Sequence, residues 1–377
     1  MKKFTSILIL ASVLFCFGCT EEPNSPGDNN GVDNEKKELT IEVSKVLIQA
    51  NGVDGSQIIV RYGDEELTEG VSIYDSSNNK VDLENMLFKT TEAGTYHFWA
   101  AYKTFNTGTE LDKMASVTAI DGAVPQLPAD SQPNSLSFAR RVLIVDFTGN
   151  KCPFCPAMIN LLNQFTTYKE YQDKWHLAVC HEFNEDDPAY FDGRMGNAVG
   201  VRGYPNVFLD MNPETYFGDY NNISAFEKKF KEEYAASEAK AGLSISSALY
   251  ENTLVIRAGI KASEDGNYRL ACWLLEDGIK AAQANGLNIP GDFSTHNNCI
   301  RLVFGKNATK DFSGQRYVLK AGETVDQFIM MDVNEKWKTE NLHLLLMVST
   351  ASENGRYYVN NVIDCPINDS MGYVYAE

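Results

Sequence analysis

The sequence predicts a mixed fold, α/β in the middle of the chain and all-β on either side. Three observations carry that prediction. From 39 to 124, and again from 239 onward, short runs alternate between apolar and polar residues and are broken by turn residues, the pattern of strands with one buried face. From 139 to 238, near-continuous apolar runs are followed by apolar residues spaced three and four apart, as in strands covered on both faces and amphipathic helices. The 377 residues, 44% of them hydrophobic, are enough for two or three globular domains.

The amino terminus reads as an export signal over residues 1–18. Lys2 and Lys3 supply a positive start, and Phe4 to Phe17 an apolar run too short to be a comfortable membrane span. The run ends at Phe17-Gly18-Cys19, which resembles a bacterial lipobox and implies cleavage before Cys19 and acylation of that cysteine. Residues 19–38, rich in Asn, Pro, Gly, Asp and Glu, have no apolar periodicity and predict a flexible tether. Glu21 and Glu22 resemble the acidic signal of surface lipoproteins in the Bacteroidota, so a lipid-anchored outer-membrane location is expected, on the periplasmic face or the cell surface. The net charge of −18 argues against a nucleic-acid partner and against a basic membrane-docking face.

The elements follow in order. In 39–124, Leu39 to Val43, Gln57 to Tyr62 and Thr95 to Trp99 alternate as strands of a small antiparallel sandwich. Glu92 to Phe98 resembles the strand entry of immunoglobulin-like domains, where a tyrosine closes the corner. Without a titratable cluster this segment reads as a spacer or binding module. Residues 125–138, with Pro128 and Pro133 among polar residues, predict a linker. In 139–238, Arg141 to Phe147 predicts a buried strand, and Met158, Leu161, Leu162 and Phe165 one face of a helix. His176 to Cys180 and Asn206 to Leu209 predict two further strands, and Ser224 to Ala236 a helix opened by a Ser224–Glu227 capping box. From 239 to 377 strand patterns such as Thr253 to Arg257, Tyr268 to Leu275 and His343 to Val348 predict a second β-sandwich.

Cys152 and Cys155 carry the chemistry. A Cys-x-x-Cys pair alone reads as a zinc half-site, a redox pair or coincidence, and no second pair or suitably spaced His follows nearby to complete a metal site. The pair lies past the end of a buried strand and at the start of a helix, where free N–H groups and the helix dipole stabilise a thiolate. Cys152 is expected to be the exposed nucleophile and Cys155 the resolving thiol, the two forming a Cys152–Cys155 disulfide when oxidised. Lys151 adds positive charge beside them. His181, after the second strand, is placed at the end expected to face the pair, where it would either lower the Cys152 pKa or be a polar strand-end residue.

Two further features resemble a thioredoxin. Asp146 sits six residues before Cys152, the offset of a buried acid that takes the resolving cysteine's proton. Gly203-Tyr204-Pro205 before an apolar strand resembles the loop whose cis-proline faces the disulfide, which makes Tyr204 and Pro205 expected substrate-binding residues together with His181 and Lys151. The central domain is therefore expected to be thioredoxin-like, between an immunoglobulin-like sandwich and a C-terminal one. From Phe138 to the C-terminus the chain also resembles the Omp28-related outer-membrane lipoproteins of the Bacteroidota. The residues are Phe147 to Pro156, His181, Gly203-Tyr204-Pro205, Leu275 to Ile279, Gln283, His296 to Asn298 and Arg301. The resemblance implies an envelope lipoprotein with a thioredoxin-like core and a β-rich C-terminal domain, and no particular substrate. Lys151 in place of the usual tryptophan, and Pro-Phe between the cysteines, depart from typical thioredoxins.

Cys180, Cys272, Cys299 and Cys365 read as buried small hydrophobes, with a Cys272–Cys299 disulfide as the alternative for that pair. Glu276 and Asp277 read as a turn or edge. The function expected is a thiol–disulfide oxidoreductase acting on protein or peptide thiols and disulfides, through Cys152, Cys155 and Asp146, with no metal or organic cofactor. The alternative is a non-enzymatic surface binding or adhesion lipoprotein in which the fold is a scaffold and the Cys pair a staple.

Overall fold

The computed structural model describes residues 37–305, 312–352 and 355–377. The export signal, Cys19 and the tether up to residue 36 lie outside the described residues. The chain forms two compact units, divided between Val124 and Pro125.

In the first unit, strands alternate as their sequence does. Ser56–Tyr62, Leu39–Val43, Glu65–Glu66 and Leu87–Phe88 make one sheet, and Leu47–Gln49, Ala115–Ile120, Gly94–Tyr102, Val71–Asp75, Lys80–Val81 and Phe105–Asn106 the other. Ile48, Ile58, Val60, Phe98 and Val117 fill the space between them. The Tyr96 hydroxyl donates to the carbonyl of Glu92 at 2.9 Å, which ties the entry of its strand.

The second unit is built on one large sheet. Its strands are β1 (Val142–Thr148), β2 (Trp175–His181), β3 (Asn206–Leu209), β6 (Gly266–Glu276), β7 (Cys299–Phe304), β9 (Leu342–Ala351) and β10 (Tyr357–Pro366). A second sheet holds β4 (Ala241–Tyr250), β5 (Thr253–Ala262) and β8 (Thr324–Asp332). The large sheet runs β3-β1-β2-β7-β6-β9-β10, with Gln315–Leu319 also paired to β6. β1 and β2 are parallel, β3 is antiparallel to β1, and β2 meets β7 in parallel at Val179 and Cys299. Helices α1 (Cys155–Phe165) and α3 (Ile223–Ala235) cover one face of β1 and β3, while α2 (Gly196–Val199) and its flanks lie on the other.

Period-two alternation explains the layering. Val142 and Ile144 on β1 join Met158, Leu161, Leu162 and Phe165 of α1 and Phe226 and Phe230 of α3. Leu143, Val145 and Phe147 face the other way, into one core with Trp273, Leu275, Leu345 and Met347. On β6 the remaining residues, Leu270, Cys272 and Leu274, pack against Leu243, Ile245 and Ile256 of the second sheet. The β-sandwich expected at the C-terminus therefore shares a layer with the α/β segment. The boundary expected at 238/239 falls inside one compact unit, because the central sheet continues across it.

Two local expectations differ. α3 starts at Ile223 and is capped by Asn222, whose side chain accepts from the Ala225 amide at 3.0 Å. Glu227 is drawn instead to the Tyr171 hydroxyl and Lys231. Residues 125–138 are an ordered strap on the second unit rather than a free linker. Buried Lys261 donates to Asp130 at 2.8 Å and to the Pro133 carbonyl at 2.8 Å. Phe138 stacks on Tyr375 with ring centroids 5.1 Å apart and lies over Gly242, where a Cβ would come within 2.3 Å of its ring. Phe138→Ala should accordingly lower the unfolding free energy of this unit by about 3 kcal/mol, the usual cost of emptying a buried aromatic site. Urea denaturation followed by tryptophan fluorescence checks this, and a loss below about 0.5 kcal/mol would show that the strap is not part of the core.

Candidate functional site

β1 is apolar on both faces except for Asp146 and Thr148, which share the face covered by α1. Beyond Thr148 the chain turns through Gly149, whose carbonyl accepts from the Cys152 amide at 3.0 Å, and α1 begins at Cys155 with Pro156 in its first turn. Pro is tolerated there because the first helical N–H groups have no intrahelical partner. Cys152 and Cys155 form a disulfide, with Cα atoms 5.5 Å apart. Asp146 is 1% exposed and its Oδ1 has no hydrogen-bond partner. Burial pushes its pKa up to about 7.

Two segments clamp the loop before the disulfide. From one side, Asp187 accepts from the Asn150 amide at 2.6 Å, from the Ala189 amide at 2.9 Å and shares a 2.8 Å bond with Nδ1 of His181. Burial works to raise the Asp187 pKa, but the bond to His181 and these amides outweigh it and hold the carboxyl below its usual range. Asn184 joins the clamp through Asn150 at 2.8 Å, and the Lys151 ammonium is paired to Asp186. From the other side comes the connection between β6 and β7. Gln283 Nε2 donates to the carbonyls of Cys152 at 3.0 Å and Gly149 at 3.2 Å. The Ala284 amide donates to Asn150 at 2.7 Å and the Gly286 amide to Pro153 at 2.8 Å. Gly286 fits because a Cβ there would lie 2.9 Å from Pro153.

This cover changes the expected picture of the cysteines. Cys152, expected to be exposed, is 1% exposed, and Cys155 is fully buried. The expectation came from the local Cys-helix pattern, which contains nothing of a loop more than a hundred residues away. The Tyr204–Pro205 bond is cis, and the Tyr204 ring meets Phe183 edge-on at 5.4 Å. Phe154, between the cysteines, and Phe183 are 45% and 42% exposed and leave apolar surface at the rim.

His181 partners Asp187 and the ring of His296, 5.0 Å away, rather than the cysteines. It lines a cavity of about 290 Å³ together with Asp146, Thr148, Val179, Asn163 of α1, and Asp292 to Asn298. Asp187, Asn184, Gln283 and Gly286 were not singled out by sequence reasoning as parts of the site, although Gln283 stood in the family resemblance. Glu276 is a buried ion-pair partner of Arg301 at 2.7 Å, not a turn residue. Cys180, Cys272, Cys299 and Cys365 are buried free thiols, whose pKa values burial raises. A Cys272–Cys299 disulfide does not form, since Cys272 faces Phe304 and Cys299 faces Glu276, four residues apart along the ladder. Among the described residues no three His, Cys, Asp or Glu side chains converge as a metal site, and no helix is long and apolar enough to cross a membrane.

The family model described as Outer membrane protein Omp28 matches residues 194–370. The match takes in the covering loop and the cavity wall but begins after the Cys pair, a narrower span than the resemblance from Phe138. No curated protein matches the chain. Among solved structures the chain is similar to HBP35 of Porphyromonas gingivalis, with 14% identity and a TM-score of 0.51 over 64% of this chain and 79% of that one. A β-glucosidase from Kluyveromyces marxianus in complex with glucose aligns at 9% identity and a TM-score of 0.16 over 36% of this chain and 15% of that one, too low to bear on the fold.

Asp146 has a testable signature in stability. Its folded pKa of about 7 lies above the usual 3.8, so the folded state holds the extra proton between these values and ionisation at higher pH opposes folding. Asp146→Asn should therefore stabilise the oxidised protein by about 2–4 kcal/mol at pH 8 and by almost nothing near pH 4. Denaturant titrations at both pH values measure the difference, and an equal effect at the two would contradict the assignment.

Proposed function

We propose, for a chain whose residues 194–370 match the family model described as Outer membrane protein Omp28, a lipid-anchored outer-membrane protein whose Cys152–Cys155 pair is a covered thioredoxin-like thiol–disulfide centre. The observation that carries this reading is the disulfide at the start of α1 with Asp146 buried on the sheet face that α1 covers. Strand β1, the pair, α1, the parallel strand β2, and β3 running antiparallel after Pro205 follow each other in the order of that fold. Cys19 would carry the anchor and the tether would present the folded units.

In the proposed reaction the reduced protein meets a protein or peptide disulfide. The Cys152 thiolate attacks one sulfur, and a substrate thiolate leaves. Cys155 gives its proton to Asp146 and attacks Cys152, which re-forms the internal disulfide and releases the second substrate thiolate. The substrate is reduced by two electrons and the dithiol oxidised by two, so neither metal nor organic cofactor enters. Helix N-terminal amides favour the Cys152 thiolate. Phe154, Phe183 and Tyr204 supply the apolar rim for a peptide.

A second reading is favoured by one observation: Cys152 is 1% exposed beneath the 283–286 segment, as suits a structural staple. Equilibration in glutathione buffers separates the two. The redox reading expects a potential between about −270 and −120 mV, and the staple one below about −300 mV. The redox reading also expects catalysed reduction of insulin disulfides that Cys152→Ser abolishes. Because the cover limits access, Gln283→Ala, which removes two hydrogen bonds to the loop, should speed reduction of the disulfide by dithiothreitol about fivefold. An unchanged rate would show that the cover does not limit access.

A further inference from the structure

The cavity lined by β1, β2 and α1 has three buried polar side chains in its wall. Asp146, Thr148 and His181 are each 1% exposed, and Oδ1, Oγ1 and Nε2 of these residues have no hydrogen-bond partner. All three line the same cavity, which opens to solvent beside exposed Asp292 and Asn297. The sheet fixes this grouping. Asp146 and Thr148 are two apart on β1 and share a face, and Thr148 stands opposite His181 in the parallel ladder. Ile159, Leu162 and Asn163 of α1 and the segment Asp292 to Asn298 close the rest. A space of about 290 Å³ holds on the order of ten water molecules, and three unsatisfied polar atoms give them anchors.

His181 is braced. Its Nδ1 meets the Asp187 carboxylate at 2.8 Å, and Asp187 is itself fixed by the amides of Ala189 and Asn150. With Asp187 ionised, the imidazole proton stays on Nδ1 and Nε2 presents a lone pair. The titratable groups facing this imidazole are Asp187 from the 182–190 segment, Asp146 from β1, and His296 and Asp292 from the cavity wall, with Cys299 beside Asp187 on β7. α1 contributes no titratable side chain to the cavity.

We propose that this cavity is the proton-exit compartment of the site, in which His181, braced by Asp187, receives through water the proton that Asp146 has taken from Cys155. The inference rests on the redox reading above and deepens it. The Cys155 S–H bond breaks toward Asp146 as the Cys155–Cys152 bond forms and the substrate thiolate leaves with its electron pair. The proton then passes from Asp146 to water, from water to His181 Nε2, and from the imidazolium to solvent at the Asp292 side. No electrons move in the relay, and Asp146 returns to its ionised form. His181 is a positioning and relay residue, since it touches neither sulfur. Asp187 also holds the Asn150 amide, so one carboxylate ties the relay to the loop that bears Cys152.

The test is stopped-flow reduction of dye-labelled oxidised glutathione by the reduced full chain, from pH 5 to 9, in H₂O and D₂O. His181→Ala should slow the resolving step at least about tenfold at pH 7, enlarge the solvent isotope effect, and recover with added imidazole. His181→Gln, which can still donate to Asp187, should fold as the wild type does and show the same loss. Independently of activity, the Asp146 carboxyl resonance should titrate at a different pH in His181→Gln than in the wild type. Rates, pH profiles and isotope effects like those of the wild type, an Asp146 titration that His181→Gln does not move, or a loss that imidazole does not restore, would overturn the relay while leaving the redox reading in place. A wild type that reduces no disulfide at any pH would overturn the redox reading and the relay with it.

Discussion

The site depends on one junction between strands distant in sequence. The Val179 amide of β2 donates to the Asn298 carbonyl at 2.8 Å, and Val179 aligns with Cys299 at the start of β7. That short parallel pairing joins the α/β strands to the C-terminal ones. It converts two half-sheets, each with an exposed edge, into one sheet, and so removes the unpaired backbone groups that such edges present. It also fixes where the β6–β7 connection passes. With β7 starting beside β2, the chain from Asp277 to Asn298 lies near enough to the Cys loop for Gln283, Ala284 and Gly286 to bond it. The cover on Cys152 and the wall of the cavity are both consequences.

The apolar core follows the same junction. Leu143, Val145 and Phe147 of β1 share a cluster with Trp273, Leu275, Leu345 and Met347. A sheet whose buried face runs across an expected boundary cannot be cut there without exposing these side chains, at roughly 1.5–3 kcal/mol for each one uncovered. The strap from Pro125 to Phe138 closes the second sheet in the same manner. Its half-buried Asp130 pairs with buried Lys261, whose ammonium is also satisfied by the Pro133 carbonyl, which is the condition under which a buried charge is tolerated.

Much of this was legible locally. The unbroken apolar run of β1, the 3.6-residue stripe of α1 and the alternation of the β-strands each report a buried surface through its own period, whatever lies against it. Asp146 could be singled out because it stands inside such a run, six residues before Cys152, at the offset of a thioredoxin's buried acid. What the sequence did not disclose is pairing over long distances. Gln283, Ala284 and Gly286 act through a side-chain amide and backbone amides, and a backbone donor leaves no mark on residue type. The helix cap shows the same limit on a smaller scale. Asn222 and Ser224 are both good caps, and only the register of α3, set by Phe226 and Phe230 in the core, decides between them.

The electrostatics of the loop complete the picture. Lys151 was expected to add positive charge to the cysteines, but its ammonium is paired to Asp186, so what remains to favour a thiolate at Cys152 is the amide-rich start of α1. Those amides act in a site screened from water, where a fixed dipole is worth more than at the surface and an unpaired charge costs more. A thiolate beneath the cover would therefore be tolerated only while the amides point at it. The 182–190 and 283–286 segments hold that orientation by occupying the polar atoms of the Gly149–Pro153 turn from both sides. On the proposed reading, a substrate must displace the second segment without loosening the first, and the division of labour follows from their bonds. Asp187 binds through a charged carboxylate to a backbone amide, the stronger class of bond, whereas the cover relies on neutral amide–carbonyl bonds that an incoming peptide backbone can replace in kind.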